Sequence, residues 1–255
     1  ARVAAAKATA ERVHAERLLV DAKAAAALGG DASDRAALAR YTQAEDELRE
    51  LLDAAFQGDD AQARKHFTDL YRQALAESDA QVERIFTPEV IERLPWLDLL
   101  SGAQQQHWAA SVCAGFAHHF DNGALHIVGP AKGAAGDGIL SIGDREQWRD
   151  FVLEMEFAIA KGGMTLCFRL GKLVDRSVET WTLTVEGDDA LSTLRPYTAR
   201  ASFIGSSATL ALDDQDFEPI QARIHWTMNR LGALGIVVPE GAELMFTRLR
   251  IKVLR

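Results

Sequence analysis

Two carboxylates, Glu154 and Glu156, stand two positions apart in the alternating run Phe151-Val152-Leu153-Glu154-Met155-Glu156-Phe157-Ala158-Ile159. In extended backbone, side chains two apart point to one face. Paired carboxylates are the groups that cleave glycosidic bonds, one as acid and the other as base or nucleophile. The same spacing also describes a solvated sheet face, or a single Glu held by a cation. Arg169, on a later strand-like run, is the cation expected to pair with Glu156. Such a pair would either be structural or hold a ligand.

Other chemistry-bearing residues are sparser. His118, His119 and His126, with Cys113 nearby, are zinc-type residues, but adjacent histidines on a strand point to opposite faces and do not easily share an ion. No metal is expected, and nothing in the pattern demands a cofactor. His225-Trp226 divides in the same way, one side chain in and one out. Trp181 and Trp226 have the flat faces on which sugars stack, and core packing accounts for them equally well. Arg169, Trp181, His225 and Trp226 are therefore the candidate ligand-binding set. The Gly/Ala-rich stretch Gly129 to Gly138 lies between strands, whereas a phosphate loop needs a helix N-terminus behind it. No Gly-x-Ser-x-Gly elbow occurs.

The elements that must position these residues change character along the chain. From Ala1 to about Arg93, Ala, Leu, Glu and Arg dominate, and all favour helix. A first helix is expected from Arg2 to Leu28, ended by Gly29-Gly30. A second should start at Ser33 as its cap and run to Gly58, with Leu38, Tyr41, Leu48, Leu52 and Ala55 near one face. A third follows Asp59 and Asp60 and carries Phe67, Leu70, Tyr71, Leu75 and Val82. A short fourth follows Thr87, with Pro88 at its first position. The first helix is lined mostly by Ala and so buries little area at ~25 cal/mol per Å2. It calls for a neighbour: its own bundle, a second subunit, or a stalk near a membrane. Beyond Pro95 the period becomes two, with short strands parted by Gly, Pro, Asn or Asp and no helices between them. That pattern indicates a sandwich or barrel. The expected fold is thus α+β in two units, a helical hairpin or bundle over 1–93 and an all-β sandwich over 94–255.

Composition narrows the partners. The 255 residues are 48% hydrophobic and 25% charged, which suits a globular chain with a sizeable core. A net charge of -9 argues against nucleic acid, whose binding rests on clustered Lys and Arg. Neither a signal peptide nor an apolar run of about 20 residues is present. The chain opens on Ala1 and not Met, so an upstream part, from a membrane-anchored or multidomain parent, is expected. Cys113 and Cys167 permit one disulfide, but a buried free thiol is the expected state of Cys167.

Several segments resemble the 3-keto-disaccharide hydrolase domain, a laminin-G- or concanavalin-like jelly roll. Trp96-Leu97-Asp98-Leu99-Leu100-Ser101-Gly102, with Trp108 after it, is similar to that family's opening. Gly123-Ala124-Leu125 resembles its second strand, and Trp148 to Phe157 its Asp-Phe-x-Leu-x-x-Glu-Phe signature. Leu234-Gly235-Ile236 and Phe246-Thr247-Arg248-Leu249-Arg250-Ile251 resemble its closing strands. The resemblance covers Leu94 to Arg255. It implies a jelly roll acting on carbohydrate outside the cytoplasm, with Arg169 matching the family's Arg-bearing strand and Glu179 its Glu-x-Gln strand. The chain departs from the family where Met164-Thr165-Leu166 replaces Asn-Ser-Gly, and where Val237-Val238-Pro239-Glu240-Gly241 replaces a turn carrying Gln and His. Turnover of a sugar needs a positioned acid or base. Retained strands with lost polar groups point to a non-catalytic recognition or assembly module that binds glycan or protein. The alternative is a hydrolase or lyase of 3-keto-glycosides built around Glu156, Arg169 and Glu179.

Overall fold

The computed structural model describes residues 31–57, 61–111, 113–134, 136–142, 148–170, 179–184, 191, 193–205, 207–213, 215–216, 220–221 and 233–254. For 31–33, 53, 56, 169–170, 179–184, 215–216 and 220–221 it describes the backbone alone. The chain forms two compact units that part between Glu92 and Arg93. The helix expected over Arg2 to Leu28 lies outside the described residues.

The first unit is built on a helical hairpin, α1 (Asp31–Gln57) and α2 (Ala61–Ile85), followed by α3 (Pro88–Arg93). Ser33 lies inside α1 and not at its cap. Ala37, Tyr41, Ala44, Leu48 and Leu52 are buried at the three- and four-residue spacing that one helix face requires. Phe67, Tyr71, Ala74, Leu75 and Val82 do the same on α2. Leu48, Leu52, Phe67, Tyr71, Ala74 and Leu75 form one apolar cluster. Polar ties fix the alignment: the Tyr41 hydroxyl donates to Glu77 at 3.1 Å, and Arg84 pairs with Asp34.

The second unit is a two-layer antiparallel sandwich. Its strands are β1 (Leu97–Asp98), β2 (Trp108–Ala110), β3 (Ala117–Asp121), β4 (Ala124–Val128), β5 (Gly138–Ile142), β6 (Phe151–Lys161) and β7 (Gly163–Leu170). There follow β8 (Glu179–Thr184), β9 (Tyr197–Ile204), β10 (Ser207–Leu212), β11 (Gln215–Asp216), β12 (Ile220–Gln221), β13 (Ala233–Val238) and β14 (Glu243–Val253). Among the described residues, one sheet of nine strands runs β11-β10-β9-β6-β14-β4-β3, with β1 on β14 and β12 on β10. The other, of five strands, runs β2-β5-β13-β7-β8. One core lies between them, to which β6 gives Phe151, Leu153, Met155, Phe157 and Ile159, and β14 gives Leu244, Phe246, Leu249 and Ile251. The five-stranded sheet meets them with Leu140, Ile142, Met164, Leu166, Phe168, Leu234, Ile236 and Val238. These are alternate positions, as a strand with one buried face requires, except on β14, where an irregularity between Phe246 and Arg248 makes the step to Leu249 three residues.

Three details set the layers. The chain passes from β6 to β7 through Gly162, whose φ of +70° suits glycine, and so changes sheet without a hairpin. A Cβ on Gly129 would fall 2.1 Å from the Pro239 carbonyl oxygen, so the β4 end and the turn before β14 approach by virtue of having glycine there. β1 pairs with the far half of β14, Leu97 opposite Ile251, so the first and last strands of the sandwich are neighbours.

Burial first, and then the hydrogen bond to Glu77, push the Tyr41 hydroxyl from 10.0 up to about 12. A raised value in the folded state gives stability that is present below the unfolded value and fades as pH climbs through the folded one. The difference in unfolding free energy between the parent and Tyr41→Phe should therefore shrink between pH 10.0 and about 12. Denaturant melts across that window test it, and a difference that does not vary with pH counts against it.

Candidate functional site

Glu154 and Glu156 share the outward face of β6, but their setting differs from the expected one. In the ladder Arg200 of β9 stands opposite Glu154, Arg250 of β14 stands on its other side, and Asp98 of β1 lies beyond Arg250. Charges thus alternate in sign across four strands. Arg250 donates to the Glu154 carboxylate from Nε at 2.9 Å and Nη2 at 2.7 Å. Arg248 reaches both acids at 3.5 Å, and the Thr247 hydroxyl donates to Glu156 at 2.9 Å. The Trp96 ring lies under the Arg250 guanidinium at 4.5 Å and the Lys252 ammonium at 4.7 Å, within cation–π range. Each carboxylate is thereby engaged by strong donors.

Glu156 and Arg169, expected to form an ion pair, stand in different layers. Glu156 points outward from the nine-stranded sheet, whereas Arg169 belongs to β7 in the other layer, across the apolar core. A one-residue connection between β6 and β7 does not reveal in the sequence that the two strands lie in separate sheets. The partners that sequence missed, Arg248 and Arg250, repeat at the same two-residue spacing as the acids opposite them.

The outward face of the five-stranded sheet is of another kind. One cross-strand row reads Ala109, Ser141, Gly235 and Cys167. The next reads Ile139, Val237 and Thr165. Core residues alternate with these along each strand, so the described part of the face is small aliphatic groups and hydroxyls. The Ser141 hydroxyl donates weakly to the Ala109 carbonyl at 3.4 Å, and the Ser111 hydroxyl accepts from the Ile139 amide at 2.8 Å. Ile139 is 37% exposed, while Cys167 is only 6% exposed. Arg169 follows on β7, and β8 sets Glu179 opposite Phe168 and Trp181 opposite Leu166. The side chains of Arg169, Glu179 and Trp181 lie outside the described residues, as do His225 and Trp226 altogether.

Among the described residues no group of three or more His, Cys, Asp or Glu side chains is arranged to hold a metal ion. Neither described cysteine is in a disulfide: Cys113 is half-buried and its thiol donates to the Gly136 carbonyl at 3.4 Å, while Cys167 is buried. No described helix is long and apolar enough to cross a membrane.

Burial pushes the Cys167 thiol above its ordinary value. It should stay protonated at a pH where a free thiol ionises, and the thiolate is the reactive form. Iodoacetamide on the native chain should therefore label Cys113 and spare Cys167 until denaturant is added. Peptide mass spectrometry reads this out, and equal labelling of both thiols in the native state would overturn it.

No protein-family model matches the chain. No curated protein matches it either. Solved structures do. A candidate glycosyl hydrolase from Parabacteroides distasonis is 10% identical over 67% of this chain and 98% of its own, with a TM-score of 0.50. A galectin-like protein of unknown function from Bacillus subtilis is 12% identical over 63% and 95%, with a TM-score of 0.47. A carbohydrate-binding module from the same organism is 14% identical over 57% and 95%, with a TM-score of 0.43. At such identities the first of these speaks for fold alone. The second unit is a jelly-roll β-sandwich.

Proposed function

We propose that the sandwich is a non-catalytic recognition module of the jelly-roll class, carried on a helical arm, which takes a glycan or protein ligand on the outward face of its five-stranded sheet. The observation that carries this is the separation of charge from that face. The described rows there are Ala109, Ser141, Gly235 and Cys167, then Ile139, Val237 and Thr165, with no titratable group except the buried thiol. Glu154 and Glu156, the acids that cleavage would need, stand in the other layer and are engaged by Arg248, Arg250 and Thr247. A floor of small apolar groups and hydroxyls suits a ligand with flat apolar faces and peripheral hydroxyls, as a sugar has. Arg169 follows the core residue Phe168 on β7 and so holds an outward register position, which makes it the proposed contact from that strand, whereas Trp181, opposite the core residue Leu166, holds an inward one. His225 and Trp226 complete the proposed set.

The alternative is a hydrolase or lyase of the 3-keto-disaccharide type, and the register counts against it: Glu179 stands opposite the core residue Phe168 and so holds an inward position, while Arg169 holds the alternate, outward one, and Glu156 lies in the other layer. Screening on a glycan array with calorimetry of the hits, alongside turnover of a 3-keto-glucoside, separates the readings. Binding without turnover, lowered at least about tenfold by Arg169→Ala, is the expected result. Turnover abolished by Glu179→Gln in a folded chain would reverse the assignment.

The Ala-rich segment ahead of α1 is proposed as an oligomerisation stalk, and a setting outside the cytoplasm suits the carbohydrate reading. Light scattering on the chain with and without residues 1–28 should show a larger assembly only when they are present. A monomer in both would remove the stalk.

A further inference from the structure

β3 carries two adjacent histidines and lies at the edge of the nine-stranded sheet, paired among the described residues with β4 alone. A two-residue turn joins the two strands, with Asn122 at φ +49° and Gly123 at φ +81°, the left-handed pair that a tight hairpin needs. At the other end Phe116 packs on Gly138, where a Cβ would fall 2.1 Å from the Phe116 ring. Ala117–Asp121 is thus held between a packed aromatic and a turn, and in between by one ladder.

Three imidazoles sit on that ladder. His119 stands opposite His126, their rings stacked with centroids 4.8 Å apart and planes 7° from parallel. Both turn outward, because Leu125 and Ile127 on either side of His126 are buried. His118 takes the alternate, inward position opposite the core residue Ile127, its ring edge-on to Phe120 at 6.2 Å. Burial, and then the neighbouring His119, hold the His118 imidazole below its ordinary 6.5. At the inward positions of β4, β14, β2, β5 and β13 the described residues are apolar, so no carboxylate among them answers a charge on His118. On the loop before β3 the Cys113 thiol is turned to the Gly136 carbonyl. On the outward side Asp121 follows His119 by two residues, Met245 of β14 stands opposite His126, and Glu243 stands opposite Lys161.

We propose that β3 is an acid-released edge strand: neutral His118, His119 and His126 keep it on β4, and their protonation peels it away. A charged His118 would lie on an apolar face. Charged His119 and His126 would oppose each other across 4.8 Å, which Asp121 offsets only on the outward side. A histidine held below its ordinary value stabilises the docked strand fully above 6.5, and less and less as pH falls through its folded value. Opening bares the backbone groups of Ala124–Val128 as a new sheet edge, confined between Phe116 and Asn122. The release is local, since neither β6 nor β14 contains a histidine.

Backbone hydrogen exchange of the full chain, corrected for the intrinsic effect of pH, tests this at about pH 7.5 and about pH 5. Protection of the β3–β4 ladder amides should fall at least about tenfold at the lower pH, while that of β6 and β14 holds. His118→Phe should restore most of the lost protection, and His119→Gln a smaller part of it. Circular dichroism confirms folding; should His118→Phe fail to fold, His118→Gln, neutral at both pH values, carries the same comparison. Equal protection of β3 and β4 at the two pH values overturns the proposal. So does a fall of the same size in the His118 variant and the parent, or one shared by β6 and β14, since acid would then be acting elsewhere.

Discussion

The sandwich depends on the pairing of β6 with β14. Both strands are 11 residues long, they lie next to each other within the larger sheet, and each donates one face to the core, β14 through an irregularity between Phe246 and Arg248. A slip of β14 by one residue would turn Phe246 and Ile251 out to water and drive Arg248 and Arg250 into the apolar layer, and a slip of β6 would do the same to Phe157 and Glu154. Each fully buried large apolar side chain contributes about 1.5–3 kcal/mol, so the register is held by several such terms at once. The alternating charges of Arg200, Glu154, Arg250 and Asp98 then select the same alignment from the outer side. Exposed ion pairs are individually weak, roughly 0–1 kcal/mol, and their use here is to make the wrong alignments worse.

That arrangement explains why the acids of β6 are poor candidates for bond cleavage. A general acid or base must keep a lone pair or proton free for the substrate. Glu154 and Glu156 instead lie among guanidinium and hydroxyl donors on a sheet face braced by Trp96. Among the described residues the two layers differ: charge and register control on one outer face, small groups and hydroxyls in the rows of the other.

Much of this was legible in the residues. The change from helical spacing to alternation near Pro95 reflects real backbone geometry, and the apolar faces of α1 and α2 matched their spacing because burial on a helix permits few other patterns. Strands such as β6, β7 and β9 declared themselves through runs of alternating residues. β2 and β3 did not, since three to five residues with His or Ala among them carry too little periodicity. The site was harder to read. Which cation meets Glu156 depends on sheet membership, and strands joined through one glycine gave no hint that they lie in separate layers. The pairing of His119 with His126 likewise rests on ladder register, which spacing along the chain does not encode.

The contact between β1 and the far half of β14 brings Leu97 beside Ile251 and Asp98 beside Arg250. A sheet module whose two ends adjoin can be spliced into a surface loop of a host protein without prising that loop apart. Fused in tandem, copies of it would need only a short tether from one to the next. In mechanical terms, force applied through those two ends would unzip a short antiparallel patch one bond at a time. The long central strands would be loaded only after that patch had opened.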